Sequence, residues 1–338
     1  MKMVVMNKNV RPLGALIAAS ALLLAAGCGG DPAGTGAAEG QPGQLSVVAA
    51  FYPFQFVAER VAGPHAAVTS LTTPGAEPHD LELTPRQVAS VSTADLVVYE
   101  RTFQAAVDEA VDQSGNEHVL DVAAVVPLQP LASGEHEHEH EGEEHAEHAH
   151  EHEGEEHAED EHDHGGLDPH VWLDPTQMAT ITGAVRDQLS ALDPDHAADY
   201  AANATALEGE LGTLDQEFTT GLASCEREEF ITTHTAFGYL AKRYGLSQIG
   251  ITGLSPDAEP SPARIAEVQH EAEEHGVTTI FYETLISPAI AEAIAGDLGL
   301  ATDVLDPIEG ITEASRGQDY VAVMRANLTA LVKANGCS

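Results

Sequence analysis

Positive charge is scarce in this chain of 338 residues. It has 14 lysines and arginines against 55 aspartates and glutamates, which gives a formal net charge of −41. We exclude a nucleic-acid partner, because affinity for a phosphate backbone depends on lysine and arginine side chains. The acidic surface suits the attraction of cations or a saline habitat, and composition does not separate these two explanations.

Long apolar runs are missing after the N-terminus, so we expect no transmembrane helix in the body of the chain. Residues 1–27 combine three basic residues with an apolar run over residues 13–26, which is typical of a secretory signal peptide. The run ends in LAAG followed by Cys28, which resembles the lipobox of bacterial lipoproteins. The alternative is an ordinary signal peptide with an incidental cysteine. We predict an extracytoplasmic protein that is anchored to the membrane by lipid on Cys28, with residues 28–44 as a flexible tether.

Cysteine is also rare, with three residues in the whole chain. Once Cys28 is assigned to the lipid anchor, Cys225 and Cys337 remain. An even pair in an exported protein is a disulfide candidate, because such compartments are oxidising. The bond would hold the C-terminus against its own domain.

Histidine, by contrast, is abundant, and residues 135–164 hold ten histidines together with fifteen carboxylates. Neutral imidazole is a preferred ligand of zinc, copper and nickel, and closely spaced imidazoles can chelate in many interchangeable ways. Because the segment has almost no apolar side chains, we expect a solvated loop that concentrates cations; a soluble spacer is the alternative. The ten histidines are His136, His138, His140, His145, His148, His150, His152, His157, His162 and His164.

The rest of the chain alternates short β-prone runs with segments of helical periodicity. The run LSVVAAF is followed by a helical pattern, and the same order recurs at DLVVYE and again from FITT onwards. Strands that alternate with helices predict parallel sheets with covered faces. We predict two Rossmann-like α/β lobes at residues 45–192 and 224–338, with a long linking helix at residues 193–223.

Three histidines outside the histidine-rich segment lie in loops beyond predicted strands, where such folds build their sites. His79 is in PGAEPHDLE, His170 is in LDPHVWLDP, and His234 follows FITT. Each one alone would more often cap a turn or lie satisfied in a loop. Together, from both sides of the predicted linking helix, they indicate a metal site.

Seven segments together are similar to the zinc/manganese solute-binding proteins of metal ABC transporters, the cluster A-I family. The similarity covers approximately residues 45–335. It implies two α/β lobes joined by one rigid helix, with metal held in the cleft and handed to a membrane permease. The segments are VVAAFYPFQFVAERVAG, PGAEPHDLELTPRQ, DPHVWLDP, THTAFGYLAKRYGL, LSPDAEPSPARIAEV, FYETLISPAIAEAIA and DYVAVMRANLTALV.

By motif, the resemblance assigns His79, His170 and His234 as metal ligands. Manganese-binding relatives tend to have a carboxylate at the place of His234, and three imidazoles suit zinc. Asp306, in VLDPIEG, matches the region where many relatives supply an aspartate as the fourth ligand. Some zinc relatives instead use water or a glutamate directly before the first histidine. Pro78 occupies that place here, which leaves Asp306 or water.

Two further carboxylates accompany these histidines in the sequence. Asp168 is placed to orient His170, and Glu283, in FYETLISP, is placed near the cleft. A structural role is the alternative for both.

The sequence therefore predicts a monomeric, non-catalytic receptor that captures Zn²⁺ and delivers it to the permease of an ABC importer. Two alternatives stay open. One is a manganese or iron receptor of the same family. The other is a zinc-dependent hydrolase, since three histidines and an open fourth position can activate water. Against the hydrolase, the chain has no HExxH motif, and its three histidines lie in widely separated loops.

Deletion of residues 135–164 should lower the total zinc stoichiometry and leave the tight site nearly intact, because unconstrained ligands lose loop entropy on binding. The weak sites should empty as pH falls from about 7.5 to about 5.5, since protonated imidazole does not bind metal. Zinc titration of the full-length and deleted proteins at both pH values measures this. Identical stoichiometries at the higher pH would show that the segment is only a spacer.

Overall fold

Short strands and helices alternate along the chain. The computed structural model describes residues 43–131 and 166–338. The predicted signal peptide, the lipidation site Cys28 and the histidine-rich segment at residues 135–164 lie outside the described residues. Within the described ranges, no helix is long and apolar enough to cross a membrane.

The described strands form two four-stranded parallel sheets and one short antiparallel pair. In chain order they are β1 (Leu45–Ala49), β2 (Ala66–Ser70), β3 (Leu96–Tyr99), β4 (Val119–Asp121), β5 (Gln129–Pro130), β6 (Leu167–Asp168), β7 (Glu229–Thr232), β8 (Ser247–Gly250), β9 (Thr279–Tyr282) and β10 (Ala301–Val304). The parallel sheets have the orders β2-β1-β3-β4 and β10-β9-β7-β8. Read from its other edge, the second sheet has the strand order of the first, so the chain repeats one topology.

The inner strands are short apolar runs because helices cover both faces of each sheet. Strand β1 reads LSVVA and β3 reads LVVY, and Val47, Val48, Val97 and Val98 are at most 1% exposed. Residues of this β-branched type favour extended backbone and pack well across a pleated surface. All strands of one parallel sheet end at the same edge, so the loops that follow them are brought together there.

Helices connect the strands and cover the sheets. Four of them begin at side chains that accept a backbone N–H of the first turn, namely Thr84, Asp174, Ser261 and Asp319. The described helices are α1 (Tyr52–Ala62), α2 (Pro85–Thr93), α3 (Ala105–Ser114), α4 (Pro175–Leu192), α5 (Ala197–Gly221), α6 (Gly238–Tyr244), α7 (Pro262–Glu274), α8 (Ala289–Leu298) and α9 (Tyr320–Asn335). The α/β fold class predicted from the sequence is confirmed.

The longest helix, α5, lies between the two parallel sheets in chain order. Its 25 residues extend about 37 Å at 1.5 Å per residue. It packs against α1 and α4 and also against α9, which contacts β7 and β10 of the second sheet. A 3-10 turn at Pro194–His196 precedes it, so the helix predicted for residues 193–223 begins at Ala197. The limits of the two lobes stay a prediction.

The two short strands β5 and β6 flank the histidine-rich segment in the sequence and pair with each other. Gln129 pairs with Asp168 and Pro130 with Leu167, and the N–H of Leu131 donates to the carbonyl of Gly166 at 3.0 Å. The chain therefore leaves toward that segment and returns from it next to the loop that carries His170.

A disulfide bond joins Cys225 and Cys337, as the sequence predicts, across a separation of 112 residues. It ties the segment that follows α5 to the end of α9. The backbone supports the same contact, because the N–H of Ser338 donates to the carbonyl of Ser224 at 2.9 Å.

Replacing both cysteines by serine should lower the free energy of unfolding by about 2–5 kcal/mol, because the unfolded chain regains the entropy that a long closed loop removes. Urea unfolding of the exported wild-type and double-variant proteins measures the difference. Reductant should destabilise the wild type and leave the double variant unchanged. Equal stability of the two proteins without reductant would contradict the prediction.

Candidate metal centre

Four buried side chains from four separate loops meet at one point. His79 lies in the loop after β2, His170 directly after β6, His234 after β7 and Glu309 after β10. They are 6%, 0%, 0% and 1% exposed, and one ligand atom of each lies within 4.8 Å of the others. The structure thus brings the three histidines singled out in the sequence together, and it adds Glu309 to them.

The distances between the ligand atoms suit zinc. Glu309 Oε1 lies 3.3 Å from Nε2 of His79 and 3.6 Å from Nε2 of both His170 and His234. The Nε2 atoms of His170 and His234 are 3.4 Å apart. Tetrahedral zinc has bonds of about 2.0–2.1 Å to nitrogen and oxygen, which places its ligand atoms about 3.3–3.4 Å from one another. These four separations are therefore close to those of a tetrahedral zinc site, and the other two are no longer than 4.8 Å.

Two carboxylates orient two of the imidazoles by contacting Nδ1, the ring nitrogen that faces away from the centre. Asp168 Oδ1 lies 2.8 Å from His170 Nδ1 and accepts the backbone N–H of the same histidine at 2.9 Å. Glu283 Oε1 lies 2.6 Å from His234 Nδ1 and also accepts the hydroxyl of Thr233. A carboxylate at Nδ1 keeps the proton on that nitrogen, so that the lone pair of Nε2 faces the centre.

The loop of His79 is held by packing and by backbone contacts. The ring of His79 packs edge-on against Phe103, with centroids 4.7 Å apart, and the backbone N–H of His79 donates to Glu77 Oε2 at 2.9 Å. The buried side chain of Gln104 donates to the carbonyl of Pro78 at 3.0 Å and to the hydroxyl of Thr72 at 3.1 Å. These hydrogen bonds hold the backbone at Pro78, directly before His79, and connect it to Thr72.

The fourth residue of this group is Glu309, whereas the resemblance offered Asp306 or water as the fourth ligand. Asp306 Oδ1 accepts the backbone N–H of Ile308 at 2.8 Å, and Oδ2 accepts the hydroxyl of Thr284 at 3.0 Å. Ile308 has a φ of 61°, in the left-handed region, where a residue other than glycine costs roughly 1–2 kcal/mol. The carboxylate of Asp306 thus belongs to the turn, and Glu309 follows the strained residue of that turn.

The charges of the centre depend on one another. Burial opposes the charged form of His234, but Glu283 and then Glu309 raise the pKa of this imidazole to about 10. Burial likewise opposes the charged form of His170, whose pKa Asp168 and Glu309 raise, whereas burial lowers the pKa of His79. Burial disfavours the charged form of Glu309 as well, and hydrogen bonds from the imidazoles hold its pKa well below the usual value. Without metal, His234 is therefore a positively charged imidazolium, and the neighbouring Glu309 is ionised.

A second group of carboxylates lies beside the centre. Oxygens of Glu77, Asp80 and Asp257 are within 4.8 Å of one another, and Glu77 Oε1 is 4.0 Å from Nε2 of His79. Burial, followed by the charge of Glu309, raises the pKa of Glu77 to about 8. Two of these residues are exposed, so their negative charge faces solvent at the edge of the centre, where it attracts cations.

The fold has two α/β lobes, and both contribute to one closed, buried cluster of three imidazoles and a carboxylate. These features define a metal-binding protein of the two-lobed, solute-binding class. The family described as "Zinc-uptake complex component A periplasmic" matches residues 47–334. The chain belongs to this family. The family resemblance noted in the sequence is thereby confirmed.

Relatives of known name agree with this assignment. The High-affinity zinc uptake system protein ZnuA of Bacillus subtilis (strain 168) is 37% identical over 321 residues, which cover 94% of this chain and 96% of that protein. The Zinc-binding lipoprotein AdcA of Streptococcus pneumoniae (strain R6) is 36% identical over 297 residues, or 86% of this chain. The match spans 55% of the length of AdcA, so this chain corresponds to about half of that relative.

Solved structures show the same fold. The metal-dependent lipoprotein YcdH of Bacillus subtilis superposes with a TM-score of 0.69 at 32% identity, over 86% of this chain and 99% of that one. Zn(II)-bound AdcA of Streptococcus pneumoniae superposes with a TM-score of 0.69 at 34% identity, over 87% of this chain and 58% of that one.

Replacing Glu283 by glutamine should reduce the number of protons released when zinc binds. Burial opposes the charged form of His234, but Glu283 and Glu309 raise its pKa to about 10, so the imidazole is protonated at neutral pH and would have to lose that proton to act as a zinc ligand. Without the carboxylate that pKa falls, and zinc affinity should fall about 10–100-fold as well. Calorimetry in two buffers of different ionisation enthalpy counts the protons.

The matched control is Glu274→Gln, a change at an exposed glutamate of α7 that pairs with exposed His270. Its proton release and affinity should equal those of the wild type. Unchanged proton release in the Glu283 variant would contradict the role assigned to Glu283.

Proposed function

We propose that this protein is the extracytoplasmic zinc receptor of an ABC-type importer, which captures Zn²⁺ and delivers it to a membrane permease. The observation that carries the proposal is the buried centre, in which one carboxylate oxygen lies 3.3–3.6 Å from three Nε2 atoms, close to the separation of ligands in tetrahedral zinc. We propose His79, His170, His234 and Glu309 as the ligands. Relatives named for zinc uptake and zinc binding support this choice.

The donor atoms favour zinc over manganese or iron. Manganese prefers six oxygen-rich ligands, whereas zinc is usually bound by four ligands that include nitrogen or sulfur. The side chain at position 234 is an imidazole that lies among two others and a single carboxylate. A second carboxylate, Glu283, is turned to Nδ1 of His234 and adds no oxygen to the centre.

The closed centre also favours a receptor over a hydrolase. Catalytic zinc typically keeps one position open for water, while four protein ligands are typical of sites that hold the ion without chemistry. Here the carboxylate of Glu309 lies 3.3–3.6 Å from the three Nε2 atoms, which supports it as the fourth ligand. An activated water would have to displace it.

We propose that the mature protein acts as a monomer that is tethered to the membrane by lipid on Cys28. The apolar run that ends at this cysteine supports the anchor. The family description as periplasmic, and the naming of AdcA as a lipoprotein, support a place outside the cytoplasm.

Delivery requires the centre to open. Each ligand is at most 6% exposed, so the ion cannot leave while the four side chains keep these positions. Two ligands come from loops of the first lobe and two from loops that follow strands of the second sheet. We propose that separation of the lobes, at residues 45–192 and 224–338, releases zinc to the permease.

Protein that lacks residues 135–164 should bind one zinc ion tightly, and His170→Ala should abolish this site. Loss of a ligand should exceed the roughly 10–100-fold that the loss of an outer contact costs. A large excess of manganese should leave the zinc bound. Competition with a chromogenic chelator, followed by metal analysis, measures both results.

His270→Ala serves as the matched control, because the side chain of His270 is 74% exposed on α7 and takes no part in the centre. It should keep the affinity of the parent protein. Full zinc stoichiometry in the His170 variant would refute the ligand assignment, and displacement of zinc by manganese would favour a manganese receptor. Turnover of an ester or peptide substrate by the zinc-loaded protein would favour the hydrolase.

A further inference from the structure

The turn that carries Glu309 is built by a side chain that does not bind the metal centre. Asp306 is 2% exposed and lies three residues before Glu309. Its Oδ1 accepts the N–H of Ile308 at 2.8 Å, and its Oδ2 accepts the hydroxyl of Thr284 at 3.0 Å. Both oxygens of this carboxylate are therefore engaged within the second lobe.

The bond to Ile308 stabilises an unusual backbone conformation. Ile308 is fully buried and has a φ of 61°, in the left-handed region that β-branched residues rarely adopt. An aspartate that accepts the N–H two residues ahead forms an Asx turn, which offers the backbone a local partner. Because Glu309 is the next residue, the conformation of Ile308 sets the direction in which the Glu309 side chain leaves the chain.

A side chain of α9 fixes the beginning of the turn. Asn327 Oδ1 accepts the N–H of Asp306 at 2.9 Å, and Asn327 Nδ2 donates to the carbonyl of Asp306 at 2.7 Å. The amide thus satisfies both backbone groups of Asp306, as a neighbouring strand would. The backbone is held from α9 while the carboxylate of Asp306 holds the residues that follow.

The first lobe holds the same turn from the other side. Trp172, two residues after His170, donates its indole N–H to the carbonyl of Pro307 at 2.7 Å. The indole is fully buried and packs against Phe51 and Phe103, with centroids 4.8 and 5.3 Å away. This buried hydrogen bond therefore links the loop of His170 in the first lobe to the loop of Glu309 in the second lobe.

We propose that Asp306 is a positioning residue that builds the turn on which Glu309 reaches the imidazoles, and that Trp172 holds this turn against the first lobe. The inference rests on the proposed function, because it explains how the fourth zinc ligand is placed. Asp306 acts through the backbone of Ile308 and not as a ligand. Its carboxylate charge is dispensable, whereas its hydrogen-bond acceptor is required.

Asparagine at position 306 separates these two properties. Its Oδ1 can still accept the N–H of Ile308, and its Nδ2 can donate to the hydroxyl of Thr284, since a hydroxyl group both donates and accepts. Alanine removes both contacts. Asp306→Asn should therefore keep zinc affinity within about threefold of the wild type, and Asp306→Ala should weaken it about 10–100-fold, the range for loss of an outer contact.

The experiment compares Asp306→Asn, Asp306→Ala and Glu309→Gln in the full-length exported protein. Zinc affinity is measured against a competing chelator that is strong enough to empty weak sites, and the visible absorption of bound cobalt(II) reports the ligand set. The matched control is Asp303→Ala, which removes a carboxylate from β10 that pairs with Arg316 and Lys333. It should leave both readouts unchanged.

The outcomes are distinct. An Asp306→Asn protein as weak as Glu309→Gln, with an altered cobalt spectrum, would make Asp306 a ligand and overturn the inference. Wild-type affinity in Asp306→Ala would do so too, because the turn would then not need its acceptor. If the alanine variant does not fold, the comparison of Asp306→Asn with Glu309→Gln still decides. Wild-type affinity in Glu309→Gln would instead refute the ligand set of the proposed function.

Trp172→Phe tests the contact between the lobes. Phenylalanine keeps an aromatic ring in the core and removes the N–H that bonds to Pro307. Zinc should dissociate faster from this variant in stopped-flow chelation, while the cobalt spectrum keeps the form of an unchanged ligand set. A wild-type dissociation rate would overturn the role assigned to Trp172.

Discussion

The structure depends on the burial of ionisable side chains around one point. A buried polar or charged group costs free energy unless it has a partner, and burial alone would remove the proton from the imidazoles of the centre. Asp168 and Glu283 offset this cost by pairing with Nδ1 of His170 and His234, and Glu309 lies between the Nε2 atoms. The same contacts fix which nitrogen carries the proton. The contacts that stabilise the metal-free centre therefore also aim its Nε2 atoms at one position.

The repeated topology explains how the centre draws on distant parts of the sequence. Parallel strands end at one edge of each sheet, so the loops after β2, β7 and β10 reach a common space between the lobes. Aromatic side chains packed beneath these loops connect them. Phe103 contacts the ring of His79 at 4.7 Å and that of Trp172 at 5.3 Å, and Trp172 is bonded to the turn before Glu309. Phe103 and Trp172 thus connect ligand loops of both lobes.

The sequence predicts the fold class, the disulfide and the three histidines, because each leaves a local signal: alternating apolar runs, an even cysteine pair, and histidines in turn-rich motifs after strands. It does not predict Glu309. The segment LDPIEG contains two acids, Asp306 and Glu309, that could serve as the fourth ligand, and the resemblance favours Asp306. An aspartate before proline is typical of a turn, which favours Asp306 as the turn residue and leaves Glu309 as the donor. The left-handed Ile308 and the bond from Trp172 support Glu309 as the proposed ligand, and both are tertiary features that no local pattern shows.

Capture and delivery place opposite demands on the contacts between the lobes. Besides the Trp172 bond, the Tyr239 hydroxyl of α6 donates to the carbonyl of Asp168 at 3.1 Å and accepts the N–H of Gln129 at 2.8 Å. Such contacts pre-form the centre, so zinc does not have to order its ligands when it binds. Each buried hydrogen bond contributes only about 0.5–1.5 kcal/mol, however, and a few of them do not lock the lobes together. Buried apolar side chains of both lobes also form one continuous core, so zinc held by the proposed ligands would add to an existing link between the lobes. In the proposed release step, opening would have to break the metal bonds and some of these contacts, and the contacts that persist would re-form the centre for the next ion.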